Sequence, residues 1–225
     1  MCDPLLWSYI RPELEKQFEF IHLAIPVVDD FESVLSGLQA QLPDEPVNLL
    51  GFSLGGYLAT CLAELRPDSF KRLLIVSNSP CKLPDAELSQ RLQTIKWLSQ
   101  FPYSGITDKK IEQMLALEHK GSVAIKSIIK TMEQNLGYDC LLKQLTATSE
   151  RQDKSAEIVS SKIDWHFCFG DEDNLVNFDW MEQIAKQGIN TYQVAKCGHM
   201  LPLEQPQALV ALVNNVFSQG NVSPD

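Results

Sequence analysis

Short apolar runs alternate with longer helical stretches at both ends of this chain, and that alternation leaves few folds open. β-like runs fall at 18–25 (FEFIHLAI), 47–52 (VNLLGF), 72–77 (RLLIVS), 163–169 (IDWHFCF) and 190–195 (NTYQVA). Each is short and apolar, as strands buried on both faces of a parallel sheet are. Helical patterns at 30–41, 54–66, 178–187 and 205–218 lie among them. The second closes before Pro67 and the last opens at Gln205-Pro206, with proline near the helix start. A strand followed by a helix, repeated, predicts an α/β fold: a three-layer sandwich with a mostly parallel sheet.

The rhythm breaks in the middle. From about 80 to 149 the sequence carries only amphipathic helical patterns: Leu88, Leu92, Ile95 and Leu98, then Ile111, Met114 and Leu115. A third runs from Ser122, a candidate N-cap, through Ile125, Ile129 and Met132 to Gly137, a candidate C′ glycine. The expected organisation is a core built from 1–80 and 150–225, with a helical insertion at 81–149. At 225 residues the chain can bury one sizeable core but not two full-sized catalytic domains. There is no internal repeat and no phosphate-binding loop, and the polar stretch 219–225 is expected to fray.

Charge narrows the partners. Lys and Arg number 19 against 29 Asp and Glu, a formal charge of −10 that repels nucleic-acid backbones and anionic membranes. No run approaches the 18 or so apolar residues of a membrane span, and the opening Met1-Cys2-Asp3-Pro4-Leu5-Leu6-Trp7 lacks the basic start and apolar stretch of a signal peptide. Six scattered cysteines form no C-x-x-C pair, so neither a zinc site nor a disulfide framework is expected, and a reducing cytoplasm fits best.

The chemistry is carried by three segments. Gly51-Phe52-Ser53-Leu54-Gly55 matches G-x-S-x-G and sits between a β-like and a helix-like run, where a serine occupies a sharp strand-to-helix turn. The flanking glycines are expected to leave room for that turn, and the Leu54 N–H at the helix start could hold an oxyanion. The competing reading is a purely structural β-to-α turn. An activated serine needs a base. His22 falls in a β-like run, His119 on a charged helix end and His166 in an apolar run, whereas His199 follows the last β-like run in a loop beside Gly198. For the acid, the run 163–169 leads into Gly170-Asp171-Glu172-Asp173, at the strand edge where α/β sheets place ligands. Asp173, past the turn, is preferred. Asp171 is the runner-up, and an acidic solvated loop is the alternative to both. The order Ser53, Asp173, His199 matches one family of triads and not those of chymotrypsin or subtilisin.

These segments, with Cys197-Gly198-His199-Met200-Leu201-Pro202-Leu203-Glu204-Gln205-Pro206, resemble the α/β-hydrolase fold family. They are similar in particular to small capped carboxylesterases of the pimeloyl-carrier-protein methyl esterase type. In that family the acid follows a strand as G-x-x-D, which maps onto Gly170 and Asp173, and the helical insertion corresponds to a cap over the pocket. Members open with an apolar strand ending in His-Gly or Pro-Gly, whose loop supplies a second oxyanion N–H. Here Cys2 to Trp7 resembles the end of that loop with no strand before it, which aligns the second donor at or just before Met1. A start codon assigned late and real divergence both account for this.

The resemblance implies hydrolysis of a carboxylic ester or thioester through an acyl-enzyme at Ser53, with no metal or organic cofactor. Other readings are a non-catalytic binding module of the same fold with an incomplete oxyanion hole, and a lyase or C–C hydrolase using the same three residues. The apolar residues of the insertion (Leu88, Leu92, Ile95, Trp97, Phe101, Met114, Ile128 and Met132) predict an apolar side facing Ser53 and an ester with a substantial apolar part. The alternative is that they only pack the insertion onto the core.

Overall fold

The computed structural model describes residues 1–218, so the stretch 219–225, expected to fray, lies outside the described residues. Four strands form one sheet: β1 (Val47–Phe52), β2 (Phe70–Val76), β3 (Asp164–Gly170) and β4 (Asn190–Val194). They lie side by side in sequence order, and every pairing is parallel. The helices are α1 (Arg11–Leu14), α2 (Phe31–Gln39), α3 (Leu54–Leu65), α4 (Asp85–Leu98), α5 (Asp108–Glu112), α6 (Val123–Ala147), α7 (Ser155–Ser160), α8 (Phe178–Lys186), α9 (Leu201–Glu204) and α10 (Pro206–Ser218), with short 3-10 turns such as Pro4–Trp7.

Alternation along the two central strands builds the layers, because successive side chains point to opposite faces. Leu73 and Ile75 of β2 and Trp165, Phe167 and Phe169 of β3 pack on α2, α3 and α8. Leu74, Val76 and Cys168 face the other way, against Trp7, Leu14 and the Leu209, Val213, Val216 stripe of α10. This is the three-layer arrangement expected from the sequence. Several helix starts are capped by the residue before them: Asp30 accepts from the Ser33 N–H at 2.7 Å and Asn177 from the Trp180 N–H at 3.1 Å, whereas Ser53 before α3 makes no such bond.

The run 18–25 is not a strand. Its composition suits one, but a strand needs a neighbour to complete its ladder, and among the described residues none lies alongside. The Ala24 N–H and C=O instead bond the side-chain amide of Gln41, both at 2.9 Å. Between β2 and β3 the described chain is helical, with α4, α5, α6 and α7. Gly137 breaks the helix as its sequence position predicts, at φ 73°, but helix resumes beyond it to Ala147, a second half that the periodicity does not reveal.

Candidate active site

The three predicted polar residues all lie just beyond carboxyl ends of parallel strands: Ser53 after β1, Asp173 after β3 and His199 after β4. Ser53 sits at φ 49°, ψ −120°, outside the conformations an L-residue favours, and its N–H donates to the Val76 carbonyl at 2.9 Å. Gly51 makes this turn possible, since a Cβ there would lie 2.8 Å from both the Gly55 oxygen and the Gly56 Cα. The expected spacing role of Gly55 does not hold. A Cβ at Gly55 meets nothing within 4 Å, whereas one at Gly56 would lie 2.9 Å from Ile75. The second crowded glycine of the motif is therefore one position later than the pattern implies.

The geometry runs in a line. Ser53 Oγ lies 3.0 Å from His199 Nε2, and His199 Nδ1 lies 3.0 Å from both carboxylate oxygens of Asp173. Asp173 is fully buried, and its Oδ1 also accepts the Leu175 N–H at 2.9 Å. A carboxylate on Nδ1 favours the tautomer with the proton there, which leaves Nε2 as acceptor for the serine hydroxyl. The runner-up acid is placed elsewhere: Asp171 is exposed and accepts the Cys197 N–H at 3.2 Å, while Glu172 accepts the Leu117 N–H at 2.8 Å. Gly170 lets the acid loop meet the histidine loop, because a Cβ there would overlap the Cys197 carbonyl at 2.0 Å. Two other histidines are engaged elsewhere, His166 Nδ1 at 3.2 Å from Tyr192 Oη and His119 Nε2 at 3.4 Å from Glu118, while His22 lines the same cavity as Ser53.

Leu54 is the first residue of α3, so its N–H has no i−4 partner within the helix. Met1 lines the same cavity as Ser53, together with Cys2. All six cysteines are free thiols, and burial raises the pKa of each, to about 11 at Cys61 and about 12 at Cys168. They are therefore protonated at neutral pH and poor nucleophiles.

Glu204 went unnoticed in the sequence because its partners are distant backbone groups. It is buried, and its two oxygens accept the N–H groups of Ala116 (2.7 Å), Gly198 (3.1 Å) and Met200 (2.9 Å). It thus ties both flanks of His199 to the segment after α5, where the His199 N–H also donates to the Met114 carbonyl at 2.7 Å. Burial raises the Glu204 pKa, and the three N–H groups oppose that without cancelling it. The H-x-x-x-x-E spacing is the one signal that could have pointed to it.

The expected apolar lining is corrected. Leu92, Trp97 and Phe101 are about half exposed on the outside, and Met132 is buried in the core against the N-terminal turn and α10. None of the eight residues named from the sequence lines the cavity beside Ser53. The insertion contributes Glu87, Arg91, Leu141, Gln144, Leu145 and Thr148 instead. Sequence periodicity marks a helix's apolar stripe but not which neighbour receives it.

With this geometry in place, comparison with known proteins decides the family of folds. The α/β-hydrolase fold family model matches residues 24–122. A thermophilic esterase from Thermogutta terrifontis superposes with a TM-score of 0.80 at 19% identity, over 95% of this chain and 85% of that one. The chain has the α/β-hydrolase fold. A hydrolase from Pseudomonas aeruginosa superposes at 0.77 with 17% identity, over 96% of this chain and 85% of that one. In sequence the chain resembles proteins named pimeloyl-[acyl-carrier protein] methyl ester esterase. That of Shewanella woodyi is 28% identical over 158 residues, 67% of this chain and 61% of that protein. That of Aliivibrio fischeri is 35% identical over 107 residues, 47% of this chain and 40% of that protein. The chain thus spans less than two thirds of either relative. Among the described residues no helix is long and apolar enough to cross a membrane.

Proposed function

We propose that the protein is a serine hydrolase that cleaves a carboxylic ester or thioester through an acyl-enzyme. The observation that carries this reading is the continuous line Ser53 Oγ, His199, Asp173, with both contacts at 3.0 Å, opening on a cavity. Ser53 Oγ attacks the substrate carbonyl while His199 Nε2 takes its proton, and the carbonyl oxygen becomes an oxyanion facing the Leu54 N–H. His199 then protonates the leaving alkoxide or thiolate as its bond to carbon breaks. A water, deprotonated by the same nitrogen, releases the acid and restores Ser53. Asp173 holds the ring in the working tautomer and stabilises its transient positive charge. The strained Ser53 backbone supports the reading, since a plain β-to-α turn gains nothing from an L-residue at positive φ. The helices from 81 to 149 serve as the cap over this site. The ester esterases that the chain resembles agree with an ester as substrate. Free thiols throughout the chain suit the reducing cytoplasm as its compartment.

The test is pre-steady-state hydrolysis of a p-nitrophenyl ester series. A burst of nitrophenolate stoichiometric with enzyme, lost in Ser53→Ala, is expected from acyl-enzyme accumulation. Turnover that is unchanged in Ser53→Ala overturns the reading. Binding of the esters without any turnover in the wild type points instead to a non-catalytic member of the fold.

A further inference from the structure

Phe52, between Gly51 and Ser53, is the last residue of β1. Alternation along that strand puts Leu50 and Phe52 on the face of the sheet that packs against Trp7 and α10. The loop carrying His199 is buried in the same layer, through Cys197, Met200, Leu201 and Leu203. The two rings therefore meet. Their centres lie 5.3 Å apart, with the planes inclined at 51°. Trp7 stands T-shaped to Phe52, centres 6.4 Å apart and planes at 84°, and both Phe52 and His199 are buried. Because Phe52 and Ser53 are consecutive, one strand end sets the serine Oγ at His199 Nε2 and an aromatic ring beside the same imidazole.

A base that takes the serine proton becomes an imidazolium. At a buried ring that charge is poorly hydrated and has to be balanced by protein groups. Asp173 supplies a negative charge at Nδ1, 3.0 Å away, while Nε2 faces the reacting oxygens. These contacts lie in the plane of the imidazole, and its two faces carry no hydrogen-bonding group. An aromatic ring is the neighbour that adds attraction there, since its π electrons draw a cation within about 6 Å of the ring centre. The separation of 5.3 Å falls inside that range. A leucine in the same place would fill space and exclude water without supplying that attraction.

We propose that Phe52 is a positioning residue for the hydrolysis, its ring steadying the His199 imidazole against Ser53 and stabilising the imidazolium that forms as the serine proton is taken. This rests on the reading of Ser53 as nucleophile and His199 as its base. The base is uncharged while substrate binds and charged in the transition state, so the contribution enters kcat and leaves KM nearly alone. Its expected size is about 2- to 30-fold in rate.

The experiment replaces Phe52 by 4-fluoro-, 3,5-difluoro- and 3,4,5-trifluorophenylalanine, which withdraw electrons from the ring face stepwise and change its volume little, beside Phe52→Leu and Phe52→Tyr. With p-nitrophenyl esters, kcat falls along the fluorinated series while KM stays within about twofold. Phe52→Leu loses about 2- to 30-fold, and Phe52→Tyr, which keeps the ring, recovers most of it. The same fluorinated series at Phe167, a buried ring of the opposite layer that meets Trp180 at 5.4 Å, leaves kcat unchanged. Thermal unfolding accompanies every variant, and if Phe52→Leu unfolds early the fluorinated proteins decide. A kcat that stays flat or rises along the Phe52 series, or a loss confined to KM, overturns the proposal. Where no ester turns over, the rate of fluorophosphonate labelling takes the place of kcat. Labelling of Ser53 that slows along the series then supports the proposal; labelling at one rate throughout keeps the serine as nucleophile and removes the role of Phe52; a wild type that neither turns over nor labels removes both.

Discussion

Removing the Glu204 carboxylate tests whether the histidine loop is held from behind. In Glu204→Ala, three buried N–H donors lose their acceptor: Ala116, Gly198 and Met200. Each unsatisfied donor costs about 1–3 kcal/mol, and partial rescue by entering water brings the sum to about 3–5 kcal/mol. That is a large part of a total stability of about 5–15 kcal/mol. For a domain of this size it corresponds to a fall in Tm of roughly 6–20 °C. Glu204→Gln keeps one carbonyl oxygen but turns an NH2 toward an N–H, so it costs less, about 1–3 kcal/mol. Because Glu204 touches both flanks of His199 and not the ring, kcat should fall in both variants while KM stays within a few-fold. Urea unfolding followed by tryptophan fluorescence gives the first quantity and p-nitrophenyl ester kinetics the second. The sign with pH is fixed by the raised Glu204 pKa. A carboxyl that holds its proton more tightly when folded contributes stability below its unfolded pKa of about 4.3, and this is lost as pH rises through the folded value. The stability difference between wild type and Glu204→Gln should therefore shrink as pH rises from 4. A Glu204→Ala protein with unchanged Tm and unchanged kcat would refute the anchoring argument.

Other consequences are directly measurable. Asp173→Asn keeps the shape but presents the wrong hydrogen-bonding pattern to His199 Nδ1, and kcat should drop by about 10⁴; Asp171→Asn should retain most activity, and the reverse ranking in a steady-state assay would move the acid to Asp171. Gly51→Ala forces a Cβ against Gly55 and Gly56 and should cost about 1–3 kcal/mol or more, whereas Gly55→Ala, which meets nothing, should leave the urea midpoint nearly unchanged. The buried thiols of Cys61 and Cys168, with pKa values near 11 and 12, contribute stability that is full below the unfolded thiol pKa of about 8.5 and is lost as pH rises through the folded values; the Tm should fall between pH 8.5 and 11, and less steeply in Cys168→Ala.

The sheet was legible because buried parallel strands are near-continuous apolar runs, and 47–52, 72–77, 163–169 and 190–195 each match an observed strand to within two residues at either end. Residues 18–25 show the limit of that signal: apolar composition permits a strand, but only an adjacent strand makes one. The turn around Ser53 was readable because glycine spacing records a steric demand, although the crowded pair is Gly51 and Gly56. Asp173 and His199 could be placed at strand ends since those elements were readable. Glu204 was not, because its three acceptor contacts are to backbone, one of them 88 residues away in sequence. Arg91 and Arg151 look like solvated charges in a one-dimensional pattern, and only the fold brings both into the lining of the cavity beside Ser53.

The most direct test of the central claim is labelling with a fluorophosphonate, which reports a nucleophilic serine without requiring the natural substrate. Intact mass should rise by one phosphonyl group, peptide mapping should place it on Ser53, and both Ser53→Ala and His199→Ala should lose the labelling while remaining folded. Labelling that persists in Ser53→Ala, or that maps to another residue in the wild type, would contradict the assignment.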